Sequence, residues 1–132
     1  NERVLLHRQR RPDDWGLIEE PLALAAVLRA EAAEGRCLLV DCLTLWLTNL
    51  LMLEDDQRLA EERDALLACL EQLPGTLILV SNETGLGVVP MGELTRRYVD
   101  LAGWLHQAVA ERCQRVVLTV AGLPLILKGP AL

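Results

Sequence analysis

Three short, unbroken apolar runs constrain this chain more than any other feature: CLLVD at 37–41, TLILVSN at 76–82 and RVVLTVAG at 115–122. Each reads as a strand buried on both faces, because it lacks the apolar-polar alternation of a half-exposed strand and is too short for an ordinary helix. The segments between them carry helical periodicity. From Pro21 to Ala33, PLALAAVLRAEAA repeats leucine and alanine at helical spacing, with the proline suited to a first helical turn and Gly35 closing the segment. After an apolar stretch, LTLWLTNLLML, the run EDDQRLAEERDALLACLEQL puts Leu59, Leu66, Leu70 and Leu73 on one face. Glu54, Asp55 and Asp56 stand at its amino end, where they complement the helix dipole, and Pro74-Gly75 ends it. A later helix aligns Leu94, Tyr98, Leu101, Leu105 and Val109. Strand, helix, strand, helix, strand with crossovers of this length predicts an α/β fold, a parallel sheet flanked by helices. The closing LPLILKGPAL is expected to add an edge strand.

Ligands of such sheets bind beyond the carboxyl ends of the strands. Here those ends are Asp41 to Thr44, Asn82 to Gly87 and Ala121 to Pro124, which are expected to converge on one crevice. A length of 132 residues, 52% of them apolar, suffices for one core, and no repeat or linker divides residues 1–132, so a single domain is expected. The formal charge of −6, from 13 basic and 19 acidic side chains, disfavours broad electrostatic capture of nucleic acid, so an anionic ligand needs a local patch. No apolar run reaches the roughly 18 to 20 residues of a membrane span, and no signal-like start is present, which predicts a soluble, cytoplasmic protein. Cys37, Cys42, Cys69 and Cys113 form no C-x-x-C pair and have no close histidine, so they are expected to be buried thiols.

Asp41 closes an apolar strand, the position from which a carboxylate holds hydrated magnesium beside bound phosphates, or from which it only caps the following turn. The companion motif G-x-x-x-x-G-K-[ST] is absent from these residues. His7 precedes Arg8, Arg10 and Arg11, an imidazole competent toward phosphorus beside guanidinium groups that can neutralise phosphoryl oxygens. From spacing alone the plainer reading is a solvated basic helix end with a surface histidine. His106, next to the apolar face of its helix, reads as structural. SNETGLGVVP pairs Asn82 and Glu83 with glycines that admit close backbone approach, without the lysine of a phosphate loop. Trp15, Trp46 and Trp104 could line a planar ligand, but core packing is the expected use of each.

Five blocks taken together, H-x-x-x-R-P-x-x-W at 7–15, EEP at 19–21, VDCLTLWLTNLL at 40–51, SNETGLGVVP at 81–90 and RRYVDLAGWLHQAVAERC at 96–113, resemble one family across essentially the whole chain. This family is the bifunctional adenosylcobinamide kinase and adenosylcobinamide-phosphate guanylyltransferase of cobalamin biosynthesis. The resemblance implies a fold of the P-loop nucleotide-triphosphatase type, and magnesium with ATP or GTP as nucleotide substrate. It also implies two reactions: phosphorylation of adenosylcobinamide, then transfer of GMP from GTP to the new phosphate through a covalent histidine intermediate. By position, His7 becomes the nucleophile, and Arg8, Gln9, Arg10, Arg11, Glu19 and Asp41 the nucleotide contacts, with Asp41 toward the metal. Asn82, Glu83 and Gly85 are expected at the crevice floor. A homo-oligomer, typically a trimer, is implied as well.

The family's first strand, phosphate loop and first helix have no counterpart in these residues. The expectation is that the chain begins, at Asn1, after that unit, and that in this form it is inactive. Two other readings remain at this point: a different P-loop kinase or nucleotidyltransferase sharing only the fold, and a noncatalytic piece that binds a corrinoid or a partner chain.

Overall fold

The computed structural model describes residues 15–83 and 93–131; His7 to Arg11 and Gly85 lie outside them. The described elements run in the order α1 (Leu24–Glu31), β1 (Cys37–Asp41), α2 (Leu43–Met52), α3 (Asp56–Leu70), β2 (Thr76–Val80), α4 (Glu93–Arg112), β3 (Val116–Val120) and β4 (Leu123–Lys128). The first two strands pair in parallel, with Cys37 opposite Thr76 and Asp41 opposite Val80. This is the crossover that the apolar runs predict.

Local chemistry sets the helix boundaries. Asp55 caps α3 by accepting the Arg58 N–H at 3.0 Å, and Asp56 follows in the first turn, as the acidic cluster predicts. The first helix starts later than its proline suggests. Pro21 lies in the bend before it, where the Glu20 carboxylate accepts the N–H groups of Leu22 at 3.0 Å and Ala23 at 3.2 Å. The stretch LTLWLTNLLML, whose near-continuous hydrophobicity hides its period, forms α2 and buries Leu43, Trp46, Leu47, Leu50 and Leu51. At the far end of α4, Lys128 donates to the carbonyls of Ala110 and Glu111 at 2.9 and 3.1 Å, a cation on the negative pole of the helix.

Leu24, Ala25 and Leu28 of α1, the buried side of α2, Leu59, Leu66 and Cys69 of α3, and Ala102, Leu105 and Val109 of α4 make one core. Leu38, Val40, Leu77 and Leu79 pack on it from the parallel strands. The opposite faces of those strands are open: Leu39 and Ile78 are each 48% exposed and Val80 40%. Burial on both faces, expected from the unbroken apolar runs, is therefore not what the described residues provide, because their helices cover only one side.

The third strand also departs from expectation. It pairs antiparallel with β4 in a separate sheet instead of joining β1 and β2. Its pairing with β4 is set locally: Ala121 at φ 52° and Gly122 at φ 77° place consecutive residues in the left-handed region, the tight turn that suits a hairpin. Ala121-Gly122 is thus a hairpin turn, with Leu123 and Pro124 already in β4, and the segment is not a third wall of the crevice beside β1 and β2.

Among the cysteines only Cys69 is buried; Cys42 and Cys113 are intermediate and Cys37 is exposed on the open strand face. Trp46 is a core residue as expected, whereas Trp15 and Trp104 are 53% and 76% exposed. Trp104 lines, with Arg63, Asp100 and Leu101, a shallow depression of about 340 Å³. Among the described residues no helix is long and apolar enough to cross a membrane.

Candidate active site

The carboxyl ends of β1 and β2 meet in a polar cluster. Asp41 ends β1 with its side chain exposed, and Cys42 follows as the cap of α2, its Sγ accepting the Leu45 N–H at 3.4 Å. Thr44, in the first turn of α2, reaches across to the other strand: its Oγ1 lies 3.1 Å from Ser81 Oγ and accepts the Asn82 backbone N–H at 2.8 Å. Ser81 Oγ in turn lies 2.6 Å from Nε2 of His106, which projects from α4. On the other side of that ring, Nδ1 stands 4.0 Å from a Glu83 carboxylate oxygen. Asn82 and Glu83 are exposed at the same mouth.

Beneath this cluster lies the phenol of Tyr98. Its oxygen is buried and lies against Thr44 without reaching full hydrogen-bond geometry. Burial pushes this phenol up from its ordinary value, with Thr44 acting in the opposite direction and Cys42 adding to the rise. Residues 98, 102 and 106 share one helical face, so the placement of His106 toward the crevice follows from the same period that buries Ala102.

The segment carrying Glu19 is tied to the same helix. Trp46 Nε1 donates to the Leu22 carbonyl at 2.8 Å, and Asn49 Nδ2 donates to the Pro21 carbonyl at 3.3 Å. Pro21 and Leu22, just after Glu19, are therefore held by side chains of α2, whose amino end follows Asp41.

Of the residues proposed from sequence, the structure brings Asp41, Asn82 and Glu83 to one edge, and it ties the segment just after Glu19 to Trp46 and Asn49 of α2. His7, Arg8, Gln9, Arg10, Arg11 and Gly85 fall outside the described residues. Sequence reasoning put Thr44 at the crevice only as the last residue of a strand end, missed Ser81, and gave His106 a structural role without a partner. The available signal was positional: a hydroxyl residue just past each parallel strand, and an imidazole on the crevice side of the next helix.

A parallel strand pair, with a carboxylate at one strand end and a hydroxyl-imidazole chain beside it, defines an α/β domain with its polar site where enzymes of this architecture bind ligands. The family model described as cobinamide kinase / cobinamide phosphate guanyltransferase matches residues 1–127. The chain belongs to that family. It is 72% identical over 130 residues to the bifunctional adenosylcobalamin biosynthesis protein CobP of Pseudomonas aeruginosa, an alignment covering 98% of this chain and 75% of that protein. It is 30% identical over 139 residues to the bifunctional adenosylcobalamin biosynthesis protein CobU of Escherichia coli, covering 96% of this chain and 77% of the relative. The CobU protein of Salmonella typhimurium gives the same identity over the same length.

Proposed function

We propose that this protein is the bifunctional transferase that phosphorylates adenosylcobinamide with ATP or GTP and then converts adenosylcobinamide phosphate to adenosylcobinamide-GDP. In the second reaction an imidazole nitrogen of His7 attacks the α-phosphorus of GTP, and the bond to pyrophosphate breaks. The phosphate of adenosylcobinamide phosphate then attacks the guanylylated imidazole, breaking the P–N bond and freeing His7. Arg8, Gln9, Arg10 and Arg11 follow His7 directly, and guanidinium groups there neutralise the charge that develops on the phosphoryl oxygens.

The observation that carries this reading is the exposed carboxylate of Asp41 at a parallel strand end, on the edge where Thr44, Ser81 and Asn82 converge, in a chain matched to the family over residues 1–127. Magnesium fits this place. It is ordinarily held by one or two carboxylates plus substrate phosphates, and Asp41 offers one exposed carboxylate at the strand end. Asp41 would hold the ion, which supplies charge neutralisation on the triphosphate. Glu19, fastened to α2 through its neighbours, is proposed as a further nucleotide contact, and Asn82, Glu83 and Gly85 as the crevice floor.

Self-association, as a trimer, belongs to the same reading. Leu123, Leu125 and Leu127 of β4 are 70%, 54% and 58% exposed, apolar surface that a second copy would cover. The functional test is direct: the intact gene product, given GTP, magnesium and adenosylcobinamide phosphate, yields adenosylcobinamide-GDP and pyrophosphate, separated by chromatography and identified by mass. Absence of both products contradicts the reading.

A further inference from the structure

His106, Ser81, Thr44 and the backbone of Asn82 form one continuous hydrogen-bonded chain across three elements, with successive distances of 2.6, 3.1 and 2.8 Å. Either polarity satisfies its middle members, because each hydroxyl both donates and accepts and the imidazole can do either. The chain begins on α4, passes Ser81 at the carboxyl end of β2, crosses to Thr44 in the first turn of α2, three residues from Asp41, and returns to the backbone of Asn82. Packing alone does not require an imidazole here. Ala102, Leu105 and Val109 already bury the inner face of α4, and a leucine at 106 would fill similar space on a helix. What a leucine cannot do is hold the Ser81 hydroxyl.

We propose that His106 is a positioning residue of the guanylyl-transfer site: through Ser81 and Thr44 it fixes the carboxyl ends of β1 and β2 relative to each other, and so sets Asp41 and Asn82 toward bound nucleotide. The inference rests on the reading above, in which Asp41 serves the triphosphate. It separates His106 from the nucleophile, since Nε2 is already engaged by Ser81 and the ring acts through the strand ends and not on phosphorus. Loss of the chain therefore weakens ground-state and transition-state binding of GTP together, which raises KM and leaves kcat nearly unchanged.

The test is steady-state guanylyl transfer by the intact gene product with GTP varied, for the wild type, His106→Leu, His106→Gln, Ser81→Ala and the His106→Leu/Ser81→Ala double variant. The leucine and alanine variants are expected to raise KM for GTP roughly tenfold, and the double variant no further, because both remove one unit. Glutamine, whose amide can donate or accept, brings KM back to within about threefold of wild type. Ser81→Ala, which leaves α4 untouched, carries the test where the leucine variant fails to fold. A wild-type KM in both single variants, with kcat falling only as the folded fraction falls, overturns the proposal while leaving the function intact. A wild-type protein that transfers no guanylyl group overturns the underlying reading and this inference with it.

Discussion

The hydroxyl of Thr44 accepts the backbone N–H of Asn82 at 2.8 Å, joining the first turn of α2 to the residue just past β2. The same oxygen lies 3.1 Å from Ser81 Oγ, so one small side chain serves two partners at the meeting of the parallel strands. Replacing it with valine keeps the shape and removes both bonds. Asn82 is exposed and water can take up its N–H, so Thr44→Val is expected to cost about 1 kcal/mol, a fall of a few degrees in Tm. Thr44→Ser, which retains the oxygen, should stay closer to wild type. Equal melting of the valine variant and the wild type by circular dichroism would show that this bond contributes nothing to stability.

Gly75 and Gly35 offer a matched pair. Both have positive φ, 80° and 76°, but a Cβ on Gly75 would stand 2.3 Å from the Ala33 carbonyl oxygen and 2.5 Å from that of Arg36, whereas a Cβ on Gly35 meets nothing within 4 Å. Gly35→Ala is expected to cost about 1 kcal/mol, the left-handed backbone alone. Gly75→Ala adds a clash with two backbone oxygens and is expected to cost about 3 kcal/mol. Urea unfolding of the two variants measures the difference directly, and equal midpoints would contradict the close approach.

Much of the crevice was legible because its signals are local. CLLVD ends in a carboxylate and TLILV is followed by SNE, and strand ends in a parallel pair share an edge by construction. The acidic amino end of α3 and the terminating Pro74-Gly75 were legible for the same reason, although which carboxylate caps the helix was not. What the sequence hid was pairing at a distance. Nothing in RVVLTVAG distinguishes a strand bound for the parallel sheet from one that turns back at Ala121-Gly122 to meet LPLILK, because both are short apolar runs. The open face of Leu39 and Ile78 was hidden likewise, since an unbroken apolar run says what a strand tolerates and not which neighbours cover it. The link from Ser81 to His106 spans 25 residues and depends on the rotational setting of α4, which periodicity defines only to within a turn.

Glu20 gives a pH signature. Its carboxylate accepts the backbone N–H groups of Leu22 and Ala23, which together hold it below the ordinary glutamate range. A depressed folded-state value means that this contribution is present above the ordinary glutamate range and is lost as pH falls through the folded value. The difference in Tm between wild type and Glu20→Gln is therefore expected to be positive near neutrality and to shrink steadily as the pH falls below the ordinary glutamate range. A difference that stays constant over this range would contradict the assignment.

The thiols should react in the order of their exposure. Cys37 is exposed, whereas burial pushes the thiols of Cys113 and Cys69 up, and Cys69 is 1% exposed. Under native conditions an aromatic disulfide reagent is expected to modify Cys37 first and Cys69 only on unfolding. Peptide mass mapping across a time course reads this order, and early modification of Cys69 would contradict the packing of α3.

A covalent link between GMP and His7 is the centre of the proposed mechanism, and incubating the intact gene product with GTP labelled at the α-phosphate tests it most directly. Wild-type protein is expected to retain acid-labile, alkali-stable label that adenosylcobinamide phosphate discharges, as a phosphoramidate should. His106→Gln is expected to retain it too, and His7→Ala to hold none. Label that persists in a folded His7→Ala variant, or its absence from a wild-type protein that still makes adenosylcobinamide-GDP, would contradict the mechanism.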